Sequence, residues 1–249
     1  MTTVLQVGDR TITTEELMPL LTSYQLVPRL LFELIVDQAI APFSCTSEEA
    51  ENAYQQFCQK NQLVSNREIK VWLENNAMTS EQLQTYVVRK LKIEKFKQAT
   101  WGQQLESYFF SRKPQLDKVL YSIIQTSDIA AQELYFRIQE KEAEFAELAR
   151  RYSQADSAAN GGLVGPVELG NCPPALAKIL RISQPGQLWQ PTRIGEWLII
   201  LRLEKFISAQ LDNLMRERLL SELFANWLQQ QFNQPDLIKI LPSKDNNPI

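Results

Sequence analysis

Phe145 to Phe206 reads FAELARRYSQADSAANGGLVGPVELGNCPPALAKILRISQPGQLWQPTRIGEWLIILRLEKF. An amphipathic stretch leads into the paired glycines Gly161 and Gly162, which supply the positive φ that a tight turn needs. A short strand and a proline-rich loop follow, then a small helix. A Pro185-Gly186 turn and two apolar strands close the segment.

Outward from this segment the pattern changes on both sides. Before it, DKVLYSIIQTS (117–127) reads as a strand, with helices over Asp128–Glu140 and Glu144–Tyr152. Residues 1–113 read as mostly helical, with no Gly between Gly8 and Gly102. Val4 to Ile12 forms two short strands around Gly8-Asp9. Thr13 with Glu16, and Thr46 with Glu49, are capping boxes. Helices are predicted over 14–25, 28–41, from Thr46 to about Gln62, over 66–76 and over 79–100. A further helix over 102–112 is predicted to stop before Pro114. After Phe206, Ser208 is expected to cap a helix running to about Phe232. Its apolar residues Leu211, Leu214, Met215, Leu219, Leu223, Phe224, Trp227 and Leu228 form one broad face. A face this apolar needs a partner, and the N-terminal helices are the expected one.

The expected fold class is α+β. A mostly helical N-terminal domain (1–113), completed by a C-terminal helix (207–234), holds an inserted domain (114–206). That domain reads as β-rich. Residues 235–249 are expected to be a flexible tail.

Composition removes several function classes. The 249 residues are 44% hydrophobic and 22% charged, ordinary globular values. A net charge of -3 argues against a nucleic-acid binder. The chain contains no histidine, which excludes Ser-His-Asp triads and HExxH zinc chemistry. Cys45, Cys58 and Cys172 are too few and too widely spaced for a disulfide framework or a zinc site. No phosphate-binding GxxxxGK[ST] loop is present. No metal or cofactor is therefore expected. The start, MTTVLQVGDRTITTEEL, lacks a basic stretch followed by an apolar run, and no segment approaches the ~20 apolar residues of a membrane span. A soluble, cytoplasmic chain without membrane insertion is the expectation. The sequence does not set an oligomeric state.

From Tyr152 to Leu176 the chain reads YSQADSAANGGLVGPVELGNCPPAL. It resembles, without gaps, the parvulin pattern YSxDxSAxxGGDLGWFxxGxMxPxF. Tyr152, Ser153, Gly161, Gly162, Gly165, Gly170 and Pro174 match. Parvulins are peptidyl-prolyl cis-trans isomerases, and the resemblance implies for residues 114–206 a four-stranded antiparallel sheet with surrounding helices. The nested layout, with its opening VGDRTITTEEL, is similar to that of the SurA and PrsA foldases, where a helical chaperone body surrounds a parvulin domain. The resemblance implies action on X-Pro bonds of unfolded or proline-containing polypeptides, without a cofactor. Rotation about such a bond has a barrier of about 18–20 kcal/mol from amide resonance. No covalent or proton-transfer step is needed to lower it, only an apolar seat for the ring and a few oriented polar groups.

Carried over by position, the proline cup falls on Val164, Val167, Cys172 and Leu176, where the family has larger side chains. Each such shortening removes on the order of 1 kcal/mol of contact. The first family histidine falls at Tyr121 and the second at Trp197. The family's acidic or cysteine position falls at Ala155, and its hydroxyl is kept as Thr192. The resemblance thus gives Thr192 and Tyr121 as catalytic, with Val164, Val167, Cys172, Leu176 and Trp197 binding substrate. Plainer readings exist for the same residues. Tyr121 and Trp197 can be a core pair filling the histidine space, Cys172 a small apolar filler, and Thr192 an ordinary strand residue. Loss of both histidines weakens the expected isomerase. The alternative is a non-catalytic chaperone or peptide-binding module on a parvulin scaffold.

Overall fold

A computed structural model describes residues 3–127 and 130–234. The predicted tail at 235–249 and the start of the predicted helix at Asp128 lie outside the described residues. The chain divides into two compact units, one from residues 1–105 with 216–249 and one from residues 106–215.

The first unit opens with a hairpin, β1 (Thr3–Val7) and β2 (Arg10–Thr13). Helices α1 (Thr14–Ser23), α2 (Val27–Ile40), α3 (Ser47–Lys60), α4 (Asn66–Asn75) and α5 (Ser80–Trp101) follow. The capping boxes set their starts: the Glu16 carboxylate accepts from the Thr13 N–H at 2.8 Å, and Glu49 does the same for Thr46 at 2.8 Å. Ser65 with Glu68 and Thr79 with Gln82 add two more boxes. One apolar cluster joins α3, α4 and α5 through Phe57, Trp72, Leu73, Leu83 and Val87.

The C-terminal helix α10 (Asn213–Phe232) returns to this unit. Phe224 and Trp227 stack at 5.7 Å and meet Phe96 and Trp101 of α5, with ring centroids 5.0–6.4 Å apart. Lys97 is buried between them. Its ammonium donates to Glu94 at 2.7 Å and to Ser221 at 3.3 Å, and lies 5.3 Å from the Phe224 ring centroid. Phe232 stacks on Phe32 of α2 at 4.2 Å. The apolar face read in the sequence thus finds its partner in the N-terminal helices. No helix among the described residues is long and apolar enough to cross a membrane.

The second unit begins with α6 (Leu105–Leu116). This helix runs through Pro114, against the expected stop before it. Proline removes one N–H from the ladder. The carbonyl that loses its donor belongs to Phe110, a residue 61% exposed, where water can replace it. The last turn is held instead by the Asp117 N–H bonding to the Lys113 carbonyl at 2.9 Å, and by a 2.6 Å Lys113–Asp117 ion pair.

A four-stranded antiparallel sheet follows, in the order β4-β3-β6-β5. Its strands are β3 (Lys118–Thr126), β4 (Leu163–Glu168), β5 (Leu188–Ile194) and β6 (Trp197–Ile207). Side chains alternate between faces. Ile124 and Ile200 point to one face and pack under α7 (Ala131–Gln139) and α8 (Phe145–Tyr152). Tyr121, Ile123, Ile199, Leu201 and Leu203 point to the other, covered by α9 (Pro174–Ile182) through Leu176, Ala177 and Leu180.

Where the chain leaves the sheet, Ser208 does not cap α10. Its hydroxyl accepts from the Lys113 ammonium at 2.7 Å, and the neighbouring Ala209 N–H donates to the Asp117 carboxylate at 2.8 Å. The cap passes to Asp212, whose carboxylate accepts from the Met215 N–H at 2.8 Å. Asp117, only 8% exposed, therefore clasps the two ends of the sheet domain.

Two outcomes are expected from chemical denaturation. Trp101→Ala, which empties the middle of the aromatic nest, lowers stability by about 3–5 kcal/mol. Asp117→Ala strands the Ala209 N–H and leaves the Lys113 ammonium only the Ser208 hydroxyl, and costs about 1–3 kcal/mol.

Candidate functional site

The α9-covered face of the sheet gathers most of the residues singled out in the sequence. Tyr121 on β3 sits opposite Val164 on β4 and Leu203 on β6. Val167 sits opposite Val119. Cys172 follows a 3-10 turn (Leu169–Asn171), and Leu176 lies in the first turn of α9. All of these belong to one apolar cluster, with Trp197 packed against it. Tyr121, Cys172 and Leu176 are buried, while Val164 and Val167 are half-buried. Buried side chains thus make a floor, and the two valines a partly open rim.

The glycines of the motif make this geometry accessible. The Gly162 carbonyl accepts from the Ile123 N–H at 2.9 Å. A Cβ on Gly162 would stand 2.4 Å from the Ile123 carbonyl oxygen, so β4 can start this close to β3 only with glycine there. Gly165, at φ +108, lies in a bulge: β4 takes three steps from Val164 to Val167 while β3 takes two from Tyr121 to Val119. In a regular strand, residues three apart point to opposite faces. The extra residue turns both valines to the same face. A second bulge, between Trp189 and Thr192 of β5, does the same there, and the Thr192 hydroxyl closes it by donating to the Gln190 carbonyl at 2.9 Å.

Tyr121 and Trp197 do not fill one space, as a pair of facing residues would. Trp197 pairs with Ile194 at the start of β6, whereas Tyr121 faces Leu203, six residues further along that strand. At ~3.4 Å per residue the two lie about 20 Å apart along the sheet. The predicted site residues therefore form two groups. Tyr121, Val164, Val167, Cys172 and Leu176 gather at the β3–β4–α9 end. Thr192 and Trp197 sit at the β5–β6 hairpin end, where Thr192 shares a row with Ile199. Trp189 and Ile194, outside the motif, pack against the same cluster. The bulge at Gln190-Pro191 breaks the alternation that would have revealed Trp189. Its indole N–H donates to the Ser183 hydroxyl at 2.7 Å, tying β5 to the end of α9.

The electrostatics keep both titratable groups of the floor protonated near neutral pH. Burial, with a smaller contribution from the neighbouring Cys172 thiol, pushes the Tyr121 phenol up to about 12. Burial also raises the Cys172 thiol, which makes one weak bond to the Glu168 carbonyl at 3.6 Å. Both groups stay neutral near pH 7, so neither serves as a base or as an anionic nucleophile. Ala155, at the family's acidic position, contributes only a methyl packed against the cluster. What the arrangement offers is a dry apolar face with hydroxyl and amide groups toward its open end.

Comparison with known proteins agrees with this geometry. Residues 109–205 match the rotamase family model described as the PPIC-type PPIASE domain. Among relatives, the chaperone SurA of Pseudomonas putida is 35% identical over 75 residues, covering 30% of this chain and 17% of that protein. SurA of Albidiferax ferrireducens is 33% identical over 102 residues, covering 37% and 22%. The chain thus spans only about a fifth of the length of these relatives. Among solved structures, PrsA from Bacillus cereus is 18% identical, covering 96% of this chain and 93% of that one, with a TM-score of 0.49. The parvulin domain of PpiD from E. coli is 30% identical over 40% of this chain and 97% of its own, with a TM-score of 0.34. Residues 109–205 are thus a rotamase domain of the PPIC, or parvulin, type, carried in a chain similar to the SurA chaperones.

Proposed function

We propose that this protein is a peptidyl-prolyl isomerase acting on X-Pro bonds of unfolded or proline-containing polypeptides. The observation that carries the reading is the convergence of Val164, Val167, Cys172 and Leu176 into one apolar cluster on the α9 face. A pyrrolidine ring laid against the two valines would lose water on one side. That desolvation favours the twisted amide, whose resonance charge separation is smaller than that of the planar form. With Tyr121 neutral and the Cys172 thiol neutral, the chemistry would be bond rotation in a dry seat, with no covalent intermediate. The shortened cup and the separation of Tyr121 from Trp197 support a slow enzyme rather than a fast one.

A second reading has its own support. In the helical unit Tyr24, Leu26, Leu30 and Leu34 are 41–61% exposed, and the three leucines repeat every four residues, one face of a helix. An exposed apolar face suits the capture of unfolded chains. In this reading the rotamase domain binds peptide without turning it.

A protease-coupled assay on X-Pro peptides separates the two. For the isomerase, the full chain accelerates isomerisation, and Val164→Asp, which places a charge on the rim, lowers kcat/KM at least tenfold. Val164 is half-buried, so the variant keeps its fold, checked by circular dichroism. Suppressed aggregation of an unfolded client without any rate enhancement selects the second reading.

The pH dependence follows from the same groups. Between pH 6 and 8.5 the rate profile is expected to be flat, and a bell with a midpoint near 7 would contradict the mechanism. At high pH the raised Tyr121 value works against the fold. The unfolded phenol ionises near the ordinary tyrosine value of 10, while the folded one holds its proton to about 12. Stability therefore falls as pH rises across that window. Tyr121→Phe should remove this part of the loss in alkaline denaturation curves.

A further inference from the structure

Gln125 lies on β3 opposite Ile199, and Ile199 lies opposite Thr192. Directly paired residues share a face, so the Gln125 side chain projects on the α9 side, in one row with the Thr192 hydroxyl. Its neighbours Ile123, Ile124 and Thr126 are buried, whereas Gln125 is half-buried. Around it Ala155, Thr192, Ile194 and Trp197 are also half-buried, so the cluster opens to solvent at this end.

The backbone of Gln125 is fully engaged. Its N–H donates to the Ser153 hydroxyl at 3.1 Å, and its carbonyl accepts from the Gln154 N–H at 2.7 Å. The Ser153 hydroxyl also accepts from the Ala155 N–H at 3.2 Å. Ser153, a matching position of the motif, is therefore a clamp that fixes where Gln125 points. The carboxamide itself has no hydrogen-bond partner among the described residues. The half-buried carboxamide is thus open to water, and to a ligand that displaces it, on a backbone held in place.

We infer that Gln125 is a substrate-contacting residue, whose carboxamide hydrogen-bonds a main-chain amide of the bound chain a few residues away from the seated proline. This rests on the proposed peptide-binding role of the domain. A carboxamide carries one acceptor and two donors, the complement of a backbone amide with its N–H and C=O. Such a contact reads the main chain and is indifferent to side chains. Together with Thr192 it gives the open end of an otherwise apolar face a polar grip.

The test uses the full chain and its Gln125→Leu variant, with peptides carrying Ala, Leu, Glu or Lys before proline. The expected result is a fivefold to tenfold loss of kcat/KM, the worth of about one neutral hydrogen bond, equal across the four peptides. The melting temperature should be unchanged. If the wild type binds peptides without turning them over, the same loss is read in Kd by titration calorimetry. Unchanged kcat/KM and Kd in the variant overturn the assignment while leaving the peptide-binding reading standing. So does a loss that comes with a lowered melting temperature. A loss confined to one of the four peptides overturns main-chain recognition. A wild type that neither binds nor isomerises any of them overturns the underlying reading, and this inference with it.

Discussion

The antiparallel ladder between β3 and β6, from Lys118 opposite Ile207 to Thr126 opposite Leu198, is the constraint that organises the rotamase domain. Beyond a register shift between Leu120 and Tyr121, its alternation divides the apolar residues of both strands into two cores. Ile124 and Ile200 serve α7 and α8; Tyr121, Ile123, Ile199 and Leu201 serve α9. A slip of one residue would exchange the two sets and bury neither properly. The flanking strands then depend on this ladder, and each carries one bulge that brings an additional residue to the α9 side. Gly165 permits one bulge, and the Thr192 hydroxyl closes the other. The site is thus made by two local departures from a regular sheet, each costing little because the central pair is regular from Tyr121 onward.

The sequence carried most of the secondary structure, because the helix starts are written in short-range chemistry. Thr13 with Glu16 and Thr46 with Glu49 name their own helices, and the apolar face of α10 required a partner that α5 supplies. Two boundaries escaped for reasons beyond local sequence. Pro114 is tolerated because the carbonyl it deprives belongs to an exposed residue. Ser208 is drawn away from its helix by Lys113, a residue far from it in the chain. The candidate site shows the same division. Val164, Val167, Cys172 and Leu176 share one cluster because a short contiguous run of chain, from β4 through a turn into α9, carries them all. The relation of Tyr121 to Trp197 could not be read from the motif, because strand register is a long-range property. Gln125 escaped altogether, since only the pairing across three strands puts it beside Thr192.

These placements bear on how a rotamase domain without histidine can function. Tyr121 occupies a histidine position, but it is buried beneath the apolar face with its proton firmly held. Its contribution there is volume and a neutral dipole. The polar groups that a peptide could reach lie at the other end of the same face, on β3 and β5. On the proposed reading, apolar seat and polar grip are spatially separate, and an extended peptide several residues long could touch both. A proline alone could not.

Finally, the clasp at Asp117 has a consequence for how such chains are assembled. Because the first strand of the sheet begins beside the residue where the last one ends, and a carboxylate staples them together, the segment between behaves as a self-closed module. Its two connections emerge side by side. A helical protein can accept such a piece in a single surface loop without stretching to reach both ends, and can equally lose it and rejoin. Modularity of this kind arises from one carboxylate and a pair of adjoining strands.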